Sequence, residues 1–369
     1  MFSRIRGQQK VIDILQRAIS SNKISHSYLF QGNEGIGKFT TALYFLMALN
    51  CQGSPDKKPC GECLSCQKYQ SFSHPDFLYL FPSPNLEITP DKESGSSKSM
   101  NEYDAFIMNK INTPWKEFFF SGNVEIRINR IRLLENHINL TPHEGKFKTY
   151  LIENAEMMNH QAANAFLKTL EEPPADAVIV LTTDKPSTLL PTIVSRCQRI
   201  SFLPLSSKTI EEELINKHFL ENVEAKMYAR IASGSMEKAL RLAQTGSMES
   251  REKTIELLRI ILDKDDLKFL SFAEEYRSPK SQNKLQEIIS HLNLWISDLT
   301  YLKILPEDII NLDHTDLLEN LYRKNPHFES NAVQLVDFME SMRRKLEGNI
   351  NPHLILTGIY HKFLDTLNI

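Results

Sequence analysis

Apolar positions along this chain alternate between short runs and helical stripes. Val11, Ile12, Leu15, Ala18 and Ile19 mark one face of a helix across Gln8 to Ser21. The short run Tyr28-Leu29-Phe30 then breaks into glycines, and an apolar helix follows from Lys38 to Leu49. Phe77 to Phe81 reads as a buried strand after the turn His74-Pro75-Asp76. Ile126 to Ile138 has helical spacing, and Phe147 to Ile152 is a second strand, followed by a helix that stops at Glu171-Glu172-Pro173-Pro174. A third strand is Ala177 to Thr182. This alternation predicts an α/β domain on a mostly parallel sheet covered on both faces. Small helices are expected from Ser206 to Thr245, and the remainder from Met248 reads as helical. Its stripes are Leu285, Ile288, Ile289, Leu292 and Ile296, then Val333, Val336 and Met339 with Leu346. One stretch has no pattern. Pro82 to Asn101, with Ser94-Gly95-Ser96-Ser97 at its centre, has little to bury and is expected to be a mobile loop, with a short helix after it between Ala105 and Phe120.

Composition changes this picture little. A chain of 369 residues has room for two or three domains. Hydrophobic residues at 41% and charged residues at 24% are ordinary for a globular protein. A net charge of −3 supplies no broad positive field, which argues against strong DNA binding by the chain alone. The longest apolar runs fall well short of the roughly 20 residues of a membrane span, and the first residues show no uninterrupted apolar core of a signal peptide, so a cytoplasmic location is expected.

Chemistry enters at the glycine break. Gly32, Gly37 and Lys38 fit G-x-x-x-x-G-K, with Gly35 inside the loop. Such glycines let backbone N–H groups approach a phosphate, and the following helix N-terminus adds positive potential. The position after the lysine needs a hydroxyl for Mg²⁺ and holds Phe39 instead. Thr40 comes one residue late, about 100° further round the helix. Ligands in such sheets sit at the carboxyl ends of strands. The second strand end offers Glu153-Asn154 where Mg²⁺ and water would require Asp-Glu, so a second part of the same chemistry is missing. The alternative is a glycine turn with a surface lysine. Separately, Cys51, Cys60, Cys63 and Cys66 have the spacing C-x8-C-x2-C-x2-C, and four thiolates suit a closed tetrahedral structural zinc site.

Taken together, His26-Ser27-Tyr28-Leu29-Phe30, the four-cysteine module, His74-Pro75-Asp76, Gly145 to Glu153, Ala163 to Pro174 and Pro191 to Gln198 resemble the clamp-loader branch of the AAA+ family, the delta-prime and gamma/tau subunits of bacterial DNA polymerase III. These motifs span about residues 5 to 203. The resemblance implies an AAA+ P-loop domain (1–204) carrying the zinc module (51–66) and the insertion (82–125), a small helical lid (205–247) and an all-α collar (248–369). It implies that Ser195-Arg196-Cys197 presents Arg196 as an arginine finger to ATP on a neighbouring subunit, with Cys197 a packing residue and Thr183 at the sensor-1 position. A hydrolysing gamma/tau subunit would carry Thr after the lysine, Asp-Glu at the second strand end and Arg in the Gly-Ser-x-Arg motif. Phe39, Glu153-Asn154 and Glu237 stand there instead, which is the delta-prime pattern. The implied partners are gamma/tau and delta subunits, with the sliding clamp and primed DNA reached through the complex. Retained Gly37-Lys38 leaves weak ATP or ADP binding open. Competing readings are an active gamma/tau-like motor, a P-loop kinase of small metabolites and an interaction scaffold.

Overall fold

Strands buried on both faces need apolar residues without alternation, and Tyr28-Leu29-Phe30, Tyr150-Leu151-Ile152 and Val178 to Leu181 supply them. In the computed structural model these runs become the centre of a parallel sheet. The structure describes all residues except 86, 90–91, 95–96, 115–117, 119, 246–248, 279–280, 307–308, 326–327, 348–349 and 368–369. Contacts divide the chain into Met1–Leu214 with Ala232–Arg241, and Ile215–Ile231 with Leu242–Ile369.

The first unit contains α1 (Gln9–Ser20), β1 (Ser27–Gln31), α2 (Lys38–Leu49), α3 (Leu64–Gln70), β2 (Phe77–Leu80), β3 (Glu87–Thr89), β4 (Lys92–Ser94), α4 (Ser97–Asn112), α5 (Ile128–Ile138), β5 (Lys148–Ile152), α6 (His160–Glu171), β6 (Ala177–Thr183), α7 (Pro191–Ser195) and β7 (Gln198–Ser201). Five strands pair in the order β2-β5-β6-β1-β7, all parallel. The fold class is the expected one. β7 was not foreseen as a strand, because only Ile200 of its four residues is buried and an edge strand has little need of apolar residues. The register sets Gln31 beside Thr183 and Ile152 beside Leu181, so the turns that follow β1, β5 and β6 leave the sheet side by side.

The insertion differs from its expected form. β3 and β4 form an antiparallel hairpin, and α4 starts at Ser97 and runs to Asn112. Gly95 and Ser96, the centre of the expected loop, lie outside the described residues. Tyr103, Phe106, Ile107 and Lys110 follow helical spacing, and the Tyr103 and Phe106 rings pack on Phe81 at 5.2 and 4.3 Å. A polar majority masked that face.

The segment expected as a lid is shared out. α8 (Ser207–His218) crosses the division, α9 (Asn222–Ile231) belongs to the second unit, and α10 (Met236–Thr245) lies in the first as far as Arg241. The second unit continues with α11 (Glu249–Asp263), α12 (Asp266–Glu274), α13 (Gln282–Tyr301), α14 (Thr315–Lys324), α15 (Phe328–Glu347) and α16 (Pro352–Leu367). The stripe on α13 is buried as expected, joined by Trp295 and Leu299. On α15 the stripe, read as core or partner-helix surface, divides between the two. Met339 and Leu346 are buried, but Val333 and Val336 are 70% and 42% exposed. The buried face is Phe328, Ala332, Leu335, Met339, Met342 and Leu346, an unbroken 4-3-4-3-4 spacing from which the two valines are rotated away.

Asp76 closes the loop into β5. Its carboxylate accepts from the backbone N–H groups of His143, Glu144 and Gly145 at 2.6, 2.8 and 2.7 Å. Burial alone would raise its pKa, yet the three donors hold it below the ordinary aspartate value. Its stabilisation is therefore present above pH 4 and lost as pH falls through the depressed folded value. Asp76→Asn should lower stability at pH 7 by about 2–3 kcal/mol and flatten the acid limb of the stability curve, measured by denaturation between pH 2 and 7.

Candidate functional site

The carboxyl edge of the sheet gathers three turns. Gly32 donates its N–H to the Thr183 carbonyl at 3.2 Å, which ties the end of β1 to the end of β6. Gly35 and Gly37 have φ of +73° and +96°, left-handed values that suit glycine, and Gly37 caps α2. Lys38 is buried, and its ammonium donates to the carbonyls of Gly32 at 2.7 Å and Asn33 at 2.5 Å. Burial lowers its pKa, opposed by the carboxylates of Asp184, Glu34, Glu156 and Glu153. Thr40 is half-buried in the first turn of α2, and the buried Thr41 hydroxyl bonds the Gly37 carbonyl at 2.8 Å.

Phe39 points into an aromatic group, its ring 5.5 Å from Tyr79 and 6.3 Å from Phe72. Lys110 of α4 stands over that ring at 4.5 Å and pairs with Glu153 at 2.8 Å. The other Glu153 oxygen accepts from the Tyr79 hydroxyl. Asn154 has φ +51°, donates its N–H to Thr182 Oγ1 at 3.3 Å, and starts a short turn whose Met157 N–H bonds its carbonyl. The buried Thr183 hydroxyl accepts from the Lys185 N–H at 3.1 Å. Beside it Glu156 and Asp184 share a hydrogen bond. Burial and the Asp184 carboxyl raise Glu156 to about 7. Asp184 stays low despite burial, held there by Glu156, Lys38 and Lys185.

The start of α10 rests on the glycine loop. Glu237 donates its N–H to the Gly35 carbonyl at 3.2 Å, and a Cβ at Gly35 would lie 2.1 Å from Ser235 Oγ and 2.8 Å from Glu237 Cβ. Burial and Glu34 raise the Glu237 carboxyl to about 7, against Lys110 and Arg241. The structure thus brings together Gly32, Gly35, Gly37, Lys38, Glu153, Asn154 and Thr183. It adds Lys110, Tyr79, Glu156 and Asp184, which sequence reasoning missed. The Thr182-Thr183-Asp184 strand end was the available signal for Asp184. Lys110 was signalled only by its helical spacing from Tyr103 and Phe106.

Two further groups lie apart. Cys51, Cys60, Cys63 and Cys66 bring their four Sγ atoms within 4.8 Å of one another, with Cys51–Cys63 at 4.0 Å and Cys60–Cys66 at 3.9 Å. A tetrahedral shell of thiolates about 2.3 Å from a metal needs S···S near 3.8 Å. The N–H groups of Gly53 and Cys60 point at Cys51 Sγ, both at 3.3 Å, so the donor set fits a metal ion. Cys197 is outside this cluster, buried against the sheet, with its thiol pushed up to about 12 by burial. Arg196 caps α7 at the surface and donates to the Thr192 carbonyl at 3.0 Å and to Glu171 at 2.8 Å.

The family model described as "DNA polymerase III, delta subunit" matches residues 7–206. The DNA polymerase III subunit delta' of Bacillus subtilis is 28% identical over 359 residues, covering 95% of each chain. That of Pseudomonas aeruginosa is 31% identical over 257 residues, covering 69% of this chain and 66% of that protein. The tau subunit of Bacillus subtilis is 30% identical over 246 residues, covering 65% of this chain and 37% of that one.

The contact between the loop and α10 has a direct test. Gly35→Ala must both adopt φ +73° and displace Ser235, so thermal unfolding should show a loss of about 1–3 kcal/mol, a fall of several degrees. An unchanged melt would mean that the two segments do not hold each other.

Proposed function

We propose a role for this chain from one fixed point: it belongs to the DNA polymerase III delta-subunit family. It is a clamp-loader subunit of that polymerase, and within the loader it is the delta-prime-like member. Its own P-loop site does not hydrolyse ATP, it binds ATP or ADP weakly at most, and it supplies Arg196 in trans to ATP on the neighbouring subunit. The carrying observation is that each position of the missing chemistry is filled by something else. Phe39 packs at a tilt against Tyr79, Asn154 is in a left-handed turn, and Glu237 sits against Gly35. Arg196, by contrast, is at the surface, and its hydrogen-bond partners belong to α6 and α7 rather than to the glycine loop. The tau relative extends over much of the same region, but these substitutions disfavour a working motor.

The partners are the gamma/tau and delta subunits, with the sliding clamp and primed DNA reached through the assembled complex. The helical region from about 248 to 369 acts as a collar against the equivalent segments of those subunits, and exposed Val333, Val336 and Leu354 support a surface that association covers. No helix among the described residues is long and apolar enough to cross a membrane, in keeping with work in the cytoplasm.

The cysteine cluster holds zinc, since four thiolates leave no open position for catalysis and fix a segment with little core of its own. Protein purified without added metal should carry close to one zinc per chain. The variant with all four cysteines changed to serine should lose the metal and melt lower. Well under one equivalent, with an unchanged melt in the variant, removes this assignment.

Arg196→Ala should leave folding, metal content and complex assembly unchanged while lowering ATPase of the reconstituted loader on primed DNA and clamp. The decrease should be smaller than the roughly 10³-fold that loss of a lone finger costs, because other subunits bring their own. Arg196→Lys should rescue poorly, as a point charge does not reproduce the planar fork. Equal ATPase and equal clamp loading would make Arg196 structural, and ATP turnover by the isolated wild-type chain that Lys38→Ala abolishes would favour the motor reading.

A further inference from the structure

Helix α4 lies in the insertion, yet its Lys110 is built into the edge where nucleotide chemistry would occur. The Lys110 and Glu153 side chains are only 16% and 13% exposed, so neither charge is solvated by water alone. Glu153 meets that need on both oxygens, through Lys110 at 2.8 Å and the Tyr79 hydroxyl. Lys110 meets it through Glu153 and through the faces of Phe39 and Phe106, at 4.5 and 5.8 Å. Phe39 therefore does more than remove a hydroxyl. Its ring, resting on Tyr79 and Phe72, forms the floor on which the ammonium stands. One turn earlier, Phe106 packs on Phe81, the residue that follows β2, so α4 is fastened by an apolar contact and by the ion pair.

We propose that the remodelled P-loop edge is a socket for the insertion helix, in which Phe39, Tyr79 and Glu153 bind Lys110, and that a magnesium nucleotide reaches Glu153 only by displacing that lysine. The substitution at residue 39 and the insertion are then two halves of one device. A polyphosphate would have to take lysines already engaged, Lys38 by the carbonyls of Gly32 and Asn33 and Lys110 by Glu153. The proposal rests on the reading of the site as non-hydrolysing.

Amide hydrogen exchange on the full-length chain tests it. In Lys110→Glu the last two turns of α4 should exchange about tenfold faster than in wild type, while β5 and β6 remain protected. Phe39→Thr, which restores the hydroxyl, should speed the same amides. Acylation of unmodified protein supplies a readout without a variant: Lys110 should react at least tenfold more slowly than exposed Lys10. Unchanged α4 exchange in Lys110→Glu, or Lys110 labelling as fast as Lys10, overturns the socket. The two readings fail separately. ATP turnover by the wild-type chain removes the non-hydrolysing reading, whereas a chain without turnover whose α4 ignores Lys110→Glu removes the socket alone.

Discussion

A charge taken out of water needs a partner, and that requirement organises the carboxyl edge of the sheet. Lys38 is buried and meets the carbonyls of its own loop; Glu153 is divided between Lys110 and Tyr79; Glu156 and Asp184 share a hydrogen bond. In a working P-loop site, phosphate oxygens and a divalent ion would satisfy these groups. Here the protein satisfies Lys38 and Glu153 itself, while Glu156 Oε2 is buried with no hydrogen-bond partner among the described residues. Phe39 and Asn154 offer no hydroxyl and no carboxylate at their positions, and Lys110, Tyr79 and Glu153 pair with one another beside them.

Much of this was legible from the sequence where local chemistry decides. Glycines and a lysine at P-loop spacing define a loop whatever surrounds it, and the cysteine spacing brought four sulfurs within 4.8 Å. The three buried strands declared themselves because a parallel sheet covered on both faces demands continuous apolar runs. The edge strand Gln198–Ser201 made no such demand and passed unread. On α15, apolar spacing leaves core and partner-helix surface undivided, and the structure buries Met339 and Leu346 while leaving Val333 and Val336 exposed.

Helix α4 is legible in part: returning apolar and aromatic residues predict a short helix between Ala105 and Phe120, but the Ser, Lys, Asn and Glu of its first half read as loop, and Tyr103, Phe106 and Lys110 occupy one narrow face. No local rule shows that a lysine on that face meets a glutamate 43 positions later. Pairings set by tertiary structure are invisible to spacing.

The pair between Arg196 and Glu171 has a kinetic meaning. Both side chains face solvent, at 35% and 52% exposure, and exposed pairs of this kind contribute only about 0.2–1 kcal/mol. Thermal motion opens such a contact on the timescale of side-chain rearrangement rather than of domain movement. Among the described residues the guanidinium is tied only to the Thr192 carbonyl and to Glu171, so exchanging that surface carboxylate for another anion would add little barrier.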